Sequence, residues 1–458
     1  MKNYDAIIIG SGQAGTPLAF KYASEKKSVA FIEKEHFGGT CLNVGCTPTK
    51  TYVASAKRLY DARTGESLGM RFSGPIEADL SKIKQRKDEL VGKSVKALSE
   101  ALMKNKNIDV YKGRAVFSNS KTIEINGEKI HGKKIFINVG ARPRIPLVFE
   151  NVNYLTNKEI LELNEIPKHL IIVGGSYIGL EFGQMFRRFG SKVTIIEKGD
   201  RLIGREDEDI SQAVKEILEA EDIRIILDAD CLSATQNGEG EITVKVSCTP
   251  AESEISGSHL LLAVGRIPNT DTLQLDNTEI ETDKRGFIKV NDYLETTVAG
   301  IYALGDCNGK GAFTHTAYND YEIVADNLFD DKNRKVSDRI MTYGLFIDPP
   351  LGRSGMTLDQ AKATGKNITL AYRKMTDVAR AREKGETYGF MRAIIDRDTD
   401  KILGAAVLGV GGDEVISSIL NVMYADKPYI LIRDSVQIHP TVAELIPTML
   451  ESLKPYKS

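Results

Sequence analysis

The sequence predicts an α/β protein in which two similar strand–turn–helix–strand units are followed by an α+β region. The first observation is a repeat, because DAIIIGSGQAG near the start of the chain is matched in kind by HLIIVGGSYIG in its middle. The second is a change of pattern from about residue 340, where YGLFI, NITLAYRK and the paired run FMRAIIDRDTDKILGAAVLG are typical of an antiparallel sheet with helices. A length of 458 residues favours about three domains.

Each copy of the repeat has the features of a Rossmann-like dinucleotide-binding unit. A short apolar run leads into closely spaced glycines, a helical stretch follows, and the next apolar run ends at a glutamate. That glutamate lies 23 residues after the first glycine in both copies, from Gly10 to Glu33 and from Gly174 to Glu197. Glycines let a pyrophosphate approach the helix N-terminus, and the acid can accept hydrogen bonds from ribose hydroxyls. The glycines are Gly10, Gly12 and Gly15 in the first copy, and Gly174, Gly175 and Gly179 in the second, where Ser176 replaces the middle glycine.

The composition indicates a globular protein without a nucleic-acid or membrane partner. Lys and Arg together number 61 against 63 Asp and Glu, and no basic block stands out. No apolar run approaches the length of a membrane span, and MKNYDAIIIG enters a strand without a basic leader or a cleavage site. We therefore expect a cytoplasmic protein.

One cysteine pair stands apart from the other cysteines. Cys41 and Cys46 lie in GGTCLNVGCTPTK, residues 38 to 50. A bridge between them would close so small a loop that the chain-entropy model gives only about 2 kcal/mol of stabilisation. In a reducing compartment such a pair is typical of a catalytic or metal-binding site, and two ligands without nearby histidines or further cysteines are too few for a metal. The other cysteines lie singly, at Cys231, Cys248 and Cys307.

The rest of the chain predicts further helices and strands. Residues 80 to 107 are polar with helical periodicity, and residues 108 to 139 alternate like hairpin strands. The stretch ETTVAGIYALGD delivers Asp306 at the end of a strand, where an aspartate either meets a ligand polyol or caps a helix. EDEDISQAVKEILEAEDI predicts an amphipathic helix with the apolar positions Ile210, Val214, Ile217 and Leu218. Two dinucleotides bound by one chain suggest a flavin and a nicotinamide.

Five motifs in one order are similar to those of the pyridine nucleotide-disulfide oxidoreductases. They are GGTCLNVGCTPTK, the doubled glycine fingerprint, AVGRIPN, the strand ending in Gly-Asp, and IHPTVAE. Glutathione reductase, dihydrolipoamide dehydrogenase and mercuric reductase belong to this family, and the resemblance runs from residue 5 to about 450. It implies an FAD-binding domain formed by residues 1–148 and 281–338, an NAD(P)-binding domain at 149–280 and an α+β dimerisation domain at 339–458.

The resemblance implies a redox relay through the cysteine pair. Cys41 and Cys46 would form a redox-active disulfide that takes electrons from NAD(P)H through FAD. Cys46 would face the flavin in charge-transfer contact, and Cys41 would be the interchange thiol that meets the substrate. His439, oriented by Glu444, would be the base that takes and returns a proton, and in a homodimer it would complete the site of the partner subunit.

Further cofactor positions follow from the same resemblance. Lys50 would lie beside the flavin and pair with Glu181, and Tyr177 would cover the nicotinamide pocket until the coenzyme enters. The signature has Thr47 where the family usually has an aliphatic residue. The remaining cofactor positions are Gly113 beside the adenine, Gly265 in AVGRIPN, and Ala312, Phe313, Thr314 and His315 over the flavin pyrimidine.

Glu197 favours NADH as the coenzyme. A carboxylate at that strand end accepts hydrogen bonds from a ribose diol and repels a 2′-phosphate. Lys198 and Arg201 lie close enough in sequence to keep NADPH possible.

The resemblance points to a metal ion, an oxidant or a disulfide as the substrate. No cysteine follows Cys307, unlike the C-terminal cysteine pair of mercuric reductases, and GSGQAGTPLA lacks the glycine-tyrosine start typical of dihydrolipoamide dehydrogenase. Together with CTPTK, FIDPPLGRSGMT and AFTHTAYND, this looks closest to the mercuric-reductase-like branch that includes the reactive-chlorine-resistance flavoprotein. The alternatives are a dihydrolipoamide dehydrogenase and a flavin-binding scaffold with weak activity.

Overall fold

A computed structural model of the chain describes residues 1–247 and 254–456. Its α-helices are α1 (Gly15–Ser24), α2 (Gly39–Val44), α3 (Cys46–Thr64), α4 (Leu80–Lys104), α5 (Tyr177–Phe189), α6 (Glu208–Glu219), α7 (Thr314–Phe329), α8 (Leu358–Ala363), α9 (Ala379–Glu383), α10 (Gly412–Tyr424), α11 (Ile430–Arg433) and α12 (Leu445–Glu451). Its strands are β1 (Lys2–Ile9), β2 (Val29–Glu33), β3 (Ile108–Lys112), β4 (Val116–Asn119), β5 (Thr122–Ile125), β6 (Glu128–Ile137), β7 (Ala141–Pro143), β8 (His169–Val173), β9 (Lys192–Ile196), β10 (Arg224–Ile226), β11 (Cys231–Gln236), β12 (Ile242–Val246), β13 (Glu254–Gly257), β14 (His259–Leu262), β15 (Arg266–Pro268), β16 (Ile301–Ala303), β17 (Thr342–Leu345), β18 (Leu351–Gly355), β19 (Ile368–Lys374), β20 (Phe390–Asp396), β21 (Lys401–Leu408) and β22 (Lys454–Pro455). Cys248 lies outside the described residues.

The first sheet has a parallel part in the order β3-β2-β1-β6-β16, and β6-β5-β4 extend it as antiparallel strands. Ile7 and Ile8 are adjacent in β1, so their side chains point to opposite faces of the sheet, and both are fully buried. This is expected for a parallel strand that is covered on both faces. The prediction of hairpin strands for residues 108 to 139 is wrong for β3, which pairs in parallel with β2. Alternation of side chains shows which residues share a face, but it does not show the direction of the partner strand.

The second sheet is parallel, in the order β10-β9-β8-β14, with the antiparallel sheet β11-β12-β13 as a separate layer. A short antiparallel ribbon, β7 with β15, connects the segment after the first sheet to the segment after the second. β16 follows the whole second sheet in the chain but pairs with β6 of the first. The exact domain boundaries stay a prediction.

The two repeated units have the same backbone contact between their first and last glycines. The units are β1-α1-β2 and β8-α5-β9, which confirms the predicted strand–turn–helix–strand order. A Cβ at Gly15 would overlap the Gly10 carbonyl oxygen, and a Cβ at Gly179 would overlap the Gly174 carbonyl oxygen. Only glycine permits each helix to start so close to the strand that precedes it.

The C-terminal sheet is antiparallel in the order β17-β18-β21-β20-β19-β22, and α10 and α12 pack on it. This confirms the predicted strands and the hairpin of β20 and β21. The predicted helices are also present: α4 begins after Asp79, whose side chain accepts from the Lys82 N–H, and α6 buries its four predicted apolar residues. In residues 1–247 and 254–456 no helix has the length and apolar character needed to cross a membrane.

Candidate active site

The two cysteines lie where two helices meet. Cys41 is in α2, Cys46 is the first residue of α3, and Gly45 lies between the helices. A Cβ at Gly45 would come 2.8 Å from the Thr40 carbonyl oxygen and 3.1 Å from the Cys41 Cα, so the turn requires glycine. Both cysteines are thiols in the structure; Cys46 is exposed and Cys41 is half-buried. The start of a helix is a position that favours a thiolate.

The two thiols have opposite acidities. The Cys41 thiol, the Thr314 hydroxyl and the Lys50 ammonium together lower the pKa of Cys46 to about 6. The interaction with Cys46, together with burial, raises the pKa of Cys41. At neutral pH Cys46 is therefore mainly a thiolate, whereas Cys41 keeps its proton.

Lys50 is held beside the cysteine pair by a buried carboxylate. Its Nζ lies 2.7 Å from Glu181 Oε2, and the Glu181 side chain is only 7% exposed. The other oxygen, Oε1, accepts from the Phe346 N–H at 3.0 Å, and the Lys50 ammonium lies 4.4 Å from the centre of the Phe346 ring. The structure thus brings Lys50 and Glu181 together, as the resemblance implied, and joins α3 to α5 at this point.

The first residues of α7 contact the thiol site. Thr314 Oγ1 lies 3.0 Å from Cys46 Sγ. The His315 ring stacks on Phe313 with centroids 5.4 Å apart, and His315 Nε2 donates to the Thr342 carbonyl at 2.7 Å. Burial lowers the pKa of His315, so its ring is neutral at neutral pH. The segment predicted to lie over the flavin, including the exposed Ala312, is therefore placed next to Cys46.

Tyr177 packs in a cluster of three aromatic rings. It is the first residue of α5 and makes edge-to-face contacts with Phe313, at 5.7 Å, and with Tyr343, at 5.4 Å. Phe313 and Tyr343 stack on each other at 5.5 Å. The predicted cover of the nicotinamide pocket therefore lies against the residue that precedes Thr314.

The first glycine turn is closed by two side chains from neighbouring strands. Glu33 Oε2 accepts from the Ser11 N–H at 2.9 Å and from the Ser11 hydroxyl at 2.6 Å. Asn138, at the end of β6, accepts from the Gly15 N–H at 2.9 Å, and its Oδ1 would lie 2.7 Å from a Cβ at Gly12. The turn is thus too narrow for side chains and holds the Glu33 carboxylate close to the start of α1, which is where a dinucleotide site needs an acid for the ribose and a helix N-terminus for the pyrophosphate.

Gly113 lies next to this turn. Its N–H donates to the Glu33 carbonyl oxygen at 3.0 Å, directly after β3. A Cβ on Gly113 would overlap the Asn126 side chain, and its φ is +153°, so glycine is required here. This places Gly113 beside the predicted ribose-binding Glu33.

The second glycine turn repeats the arrangement of the first. Glu197 Oε2 accepts from the Gly175 N–H at 2.5 Å, and Oε1 accepts from the Gly199 N–H at 2.8 Å. Lys198, one residue on, pairs with Asp230 at 2.9 Å and so turns its charge to a different carboxylate. Gly265, directly before β15, has a φ of +107° and open space around its Cβ position.

Asp306 is half-buried and lies beside an arginine. Burial raises the pKa of Asp306, and Arg266, whose Nε lies 3.6 Å from Asp306 Oδ2, opposes that rise. Arg266 Nε is buried and has no hydrogen-bond partner among the described residues. Asp306 is within a one-turn helix at residues 305–308, and α7 begins only at Thr314, so Asp306 does not cap α7. A polar ligand at this place would satisfy both groups, which fits the flavin polyol.

His439 and Glu444 form a pair at the surface. His439 Nδ1 lies 2.8 Å from Glu444 Oε2, and the imidazole is 76% exposed while the carboxylate is 14% exposed. The residues beside it are apolar and exposed, with Ile438 at 79% and Val436 at 100%. An oriented imidazole among exposed apolar side chains suits a surface that a second subunit covers.

Three residues at the site were missed by the sequence analysis. Asn138 holds the first glycine turn and also donates to the Leu304 carbonyl at 2.8 Å, and its only signal is a polar residue at the end of the apolar run KIFINVG. Tyr343 lies in an alternating strand pattern, and nothing in the sequence distinguishes it from the other residues of that strand. Glu206, which accepts from the Tyr343 hydroxyl, reads as part of the acidic start of α6.

Two dinucleotide turns and a thiol pair with one stabilised thiolate define an oxidoreductase that works through bound dinucleotides. A model of the family "Pyridine nucleotide-disulphide oxidoreductase" matches residues 4–320, and a model of the dimerisation domain of that family matches residues 341–450. The chain belongs to the pyridine nucleotide-disulphide oxidoreductase family. It is a flavoprotein enzyme with a dimerisation domain at its C-terminal end.

Individual relatives refine the branch within this family. The chain is 36% identical over 464 residues to the probable pyridine nucleotide-disulfide oxidoreductase RclA of Escherichia coli, which covers 99% of this chain and 100% of that protein. It is 33% identical to the mercuric reductase of Lysinibacillus sphaericus, over 90% of this chain and 76% of that one. The solved structure of the HOCl-induced flavoprotein disulfide reductase RclA from Escherichia coli, and a Cu(II) complex of it, each match with a TM-score of 0.89 and 36% identity, over 98% of this chain and 100% of theirs. The predicted mercuric-reductase-like branch is confirmed.

Proposed function

We propose that the protein is an NAD(P)H oxidoreductase that passes electrons through a Cys41–Cys46 disulfide to a metal ion, an oxidant or a disulfide. The observation that carries the proposal is the asymmetric thiol pair, with a Cys46 pKa of about 6 beside Lys50 and Thr314. Bound FAD supplies the two-electron chemistry that links the nicotinamide to the sulfurs. The glycine turns, Asp306 with Arg266, and the start of α7 are the residues that would hold it.

Each side chain at the thiol site has a separate task in this scheme. When the disulfide takes up two electrons and one proton, Cys46 is left as a thiolate, which Lys50 and the Thr314 hydroxyl stabilise. Cys41 holds the proton, and it becomes a nucleophile only after a base removes that proton. Reoxidation releases the two electrons to the acceptor, the proton of Cys41 to the base, and re-forms the sulfur–sulfur bond.

The base is proposed to be His439 of the partner subunit. Its ring is oriented by Glu444 at 2.8 Å and is exposed on the dimerisation domain, so that it is available to a second copy of the chain. In a homodimer each subunit would then complete the site of the other. A monomeric variant would keep coenzyme-driven reduction of the cysteine pair but lose fast delivery to the acceptor.

NADH is the proposed coenzyme, with NADPH as a poorer one. The Glu197 carboxylate is fixed by two backbone N–H groups at the place where a ribose diol would bind, and Lys198 is paired with Asp230. A 2′-phosphate would meet a fixed negative charge. We expect Glu197→Gln to lower the ratio of kcat/KM for NADH over NADPH by about tenfold, the factor that corresponds to about 1.4 kcal/mol. Lys198→Gln is the matched control, and it is expected to leave the ratio within about twofold.

The acceptor is proposed to be a soft or borderline metal ion or an oxidant. The support is chemical, since a dithiol binds and reduces such ions, and comparative, since a relative has been solved as a Cu(II) complex. One dithiol carries two electrons and would reduce two Cu(II) ions to Cu(I). The proposed location is the cytoplasm, because a close cysteine pair in a reducing compartment is typical of catalysis.

The deciding experiment measures steady-state rates with NADH over Cu(II), Hg(II), glutathione disulfide, quinones and a chlorine oxidant. The purified holoenzyme is compared with Cys41→Ser and with Cys231→Ser as the matched control outside the pair. We expect Cys41→Ser to lose at least about a hundredfold of the best acceptor rate, because the acceptor no longer meets a nucleophilic sulfur. An undiminished rate in Cys41→Ser would replace the relay with direct transfer from the flavin.

Dihydrolipoamide dehydrogenase activity is the second candidate. It is favoured by relatives of that name in Bacillus subtilis that are 32% and 31% identical over 97% and 96% of this chain. NAD reduction by dihydrolipoamide in the same assay decides between the two. A flavin-binding scaffold is recognised by the lack of any fast reduction by NADH under anaerobic conditions.

A further inference from the structure

Tyr343 lies where the thiol site, the second sheet and the C-terminal sheet meet. It is in β17, its ring stacks on Phe313 with centroids 5.5 Å and planes 12° apart, and it meets Tyr177 edge-to-face at 5.4 Å and 84°. Phe313 directly precedes Thr314, whose hydroxyl lies 3.0 Å from Cys46 Sγ. Tyr343 therefore touches both the proposed nicotinamide cover and the segment that contacts the thiolate.

The hydroxyl of Tyr343 is anchored by a buried carboxylate. It donates to Glu206, which is 3% exposed. The second oxygen of Glu206 lies 3.7 Å from Arg353 Nη1, and Arg353, 1% exposed, also pairs with Asp207 at 3.2 Å. Arg353 is the cross-strand partner of Tyr343 in the β17–β18 register, so both side chains reach Glu206 from adjacent strands. Glu206 Oε2 and Arg353 Nη1 have no hydrogen-bond partner among the described residues, so the Tyr343–Glu206 hydrogen bond and the ion pairs of Arg353 are what hold the Tyr343 side chain in one position.

The anchored ring in turn holds Tyr177. The Tyr343 ring meets the Tyr177 ring edge-to-face, with centroids 5.4 Å apart. Burial raises the pKa of Tyr177 to about 12 and raises that of Tyr343 as well, so both hydroxyls are protonated at neutral pH. Movement of Tyr177 away from the cluster therefore breaks contacts with a ring that cannot follow it.

We propose that Tyr343, anchored by Glu206, is a positioning residue that holds Tyr177 over the nicotinamide pocket and thereby weakens the apparent affinity for NADH. The inference rests on the proposed function, in which Tyr177 covers that pocket. A coenzyme that binds only the displaced state has an apparent affinity reduced by the fraction of that state. Loosening the anchor raises this fraction without changing any group that contacts the acceptor.

The test uses Tyr343→Phe in the flavin-loaded enzyme, because this variant keeps the ring and removes the hydroxyl. The expected result is a fall of about 3- to 10-fold in both the KM and the Kd for NADH, the factor that one or two hydrogen bonds represent, with kcat and the acceptor KM unchanged. Tyr372→Phe removes a hydroxyl from another strand of the same sheet and is expected to change neither constant. An unchanged NADH affinity in Tyr343→Phe overturns the proposal.

Two further variants exclude a merely structural effect. Glu206→Leu removes the carboxylate that accepts the hydrogen bond of the Tyr343 hydroxyl, and it is expected to give the same fall in the KM for NADH. This variant decides the test if Tyr343→Phe does not retain flavin. In a Tyr177→Ala background, Tyr343→Phe is expected to have no additional effect, since nothing is left to hold. An equal effect in that background overturns the proposal.

The same set of proteins separates this inference from the proposed function. If Cys41→Ser loses acceptor turnover while Tyr343→Phe and Glu206→Leu leave NADH affinity unchanged, only the positioning role fails. If Cys41→Ser keeps full turnover, the relay fails whatever the tyrosine variants show.

Discussion

Replacing Thr314 by valine tests the origin of the Cys46 thiolate most directly. Valine keeps the shape of threonine but removes the hydroxyl that lies 3.0 Å from Cys46 Sγ. Among the groups that lower the pKa of Cys46, this hydroxyl comes after the Cys41 thiol and before Lys50. The variant therefore removes one of the contacts that lower the pKa of Cys46 and leaves the others in place.

The size of the effect follows from the value of one hydrogen bond. A hydrogen bond to a charged group contributes about 1.5–3 kcal/mol, and one pKa unit corresponds to 1.36 kcal/mol, which gives roughly 1–2 units. Because Cys46 is exposed, solvent replaces part of the lost contact and the lower end applies. The pKa of Cys46 should thus move from about 6 to about 7. At pH 7 the thiolate fraction then falls from about 90% to about 50%.

The assay is a pH titration of Cys46 in the Cys41→Ser background, where a single thiol of the pair reports. Because this background removes the Cys41 thiol from both proteins, the expected outcome is the difference between them: a Thr314→Val midpoint about one unit above that of Cys41→Ser alone. Ultraviolet thiolate absorbance and the rate of iodoacetamide alkylation both rise as pH passes the pKa, since only the thiolate absorbs and reacts in this way. The profile of Cys46→Ser is subtracted to remove the other cysteines. Thr314→Ser keeps a hydroxyl and should titrate like the parent. A Thr314→Val midpoint within about 0.3 units of the parent would refute the reasoning.

Three further outcomes are expected. Lys50→Met should raise the Cys46 midpoint by less than Thr314→Val does, because Lys50 is the weaker of the two causes. Arg58→Met, which changes an exposed residue of the same helix, should leave the midpoint unchanged. A larger shift for Lys50→Met than for Thr314→Val would contradict this order. His439→Asn should lower acceptor turnover at pH 7 by about 10²- to 10⁴-fold without slowing reduction by NADH in stopped-flow, and an equal loss in both steps would argue against a base at that position. Gly12→Ala should reduce the flavin content of the purified protein, because the new methyl group would lie 2.7 Å from Asn138 Oδ1 and overpacking costs about 1–3 kcal/mol. The control Gly92→Ala, in α4 and with open space at its Cβ position, should retain full flavin content.

The sequence alone predicted the features that depend on local spacing. The glycine turns, the carboxylate that follows each of them and the amphipathic α6 were all found, because a turn, a strand and a helix each impose a period on the chain. The direction of β3 was not found, since side-chain alternation is the same for parallel and antiparallel partners. The pairing of Lys50 with Glu181 came from the family resemblance and not from the pattern, because nothing local connects residues on two different helices.

The burial of the polar cluster around Glu206 could not be predicted from the local sequence. Glu206, Asp207 and Asp209 look like the solvated first turn of an amphipathic helix. In the structure Asp207 and Asp209 bind Arg392, and Glu206 and Asp207 face Arg353, with both arginines supplied by the C-terminal sheet. Whether an acidic segment is exposed or buried depends on whether distant segments place cations against it, and the composition of the acidic segment does not show this.

The equal spacing in the two repeated units has a physical cause that the structure makes visible. Each glutamate accepts a hydrogen bond from the N–H of the residue after the first glycine, Glu33 from Ser11 and Glu197 from Gly175. Each also accepts from the N–H of the residue two positions after itself, which is Glu35 in the first unit and Gly199 in the second. Each carboxylate is therefore tied at both oxygens to its own turn, so the helix and loops between must have the length that closes this contact. The remaining lone pairs are left fixed in direction for a ribose diol, at no further cost in side-chain ordering. Lengthening α1 or α5 by one residue should thus weaken dinucleotide binding at that unit alone, even though no group that contacts the nucleotide is changed.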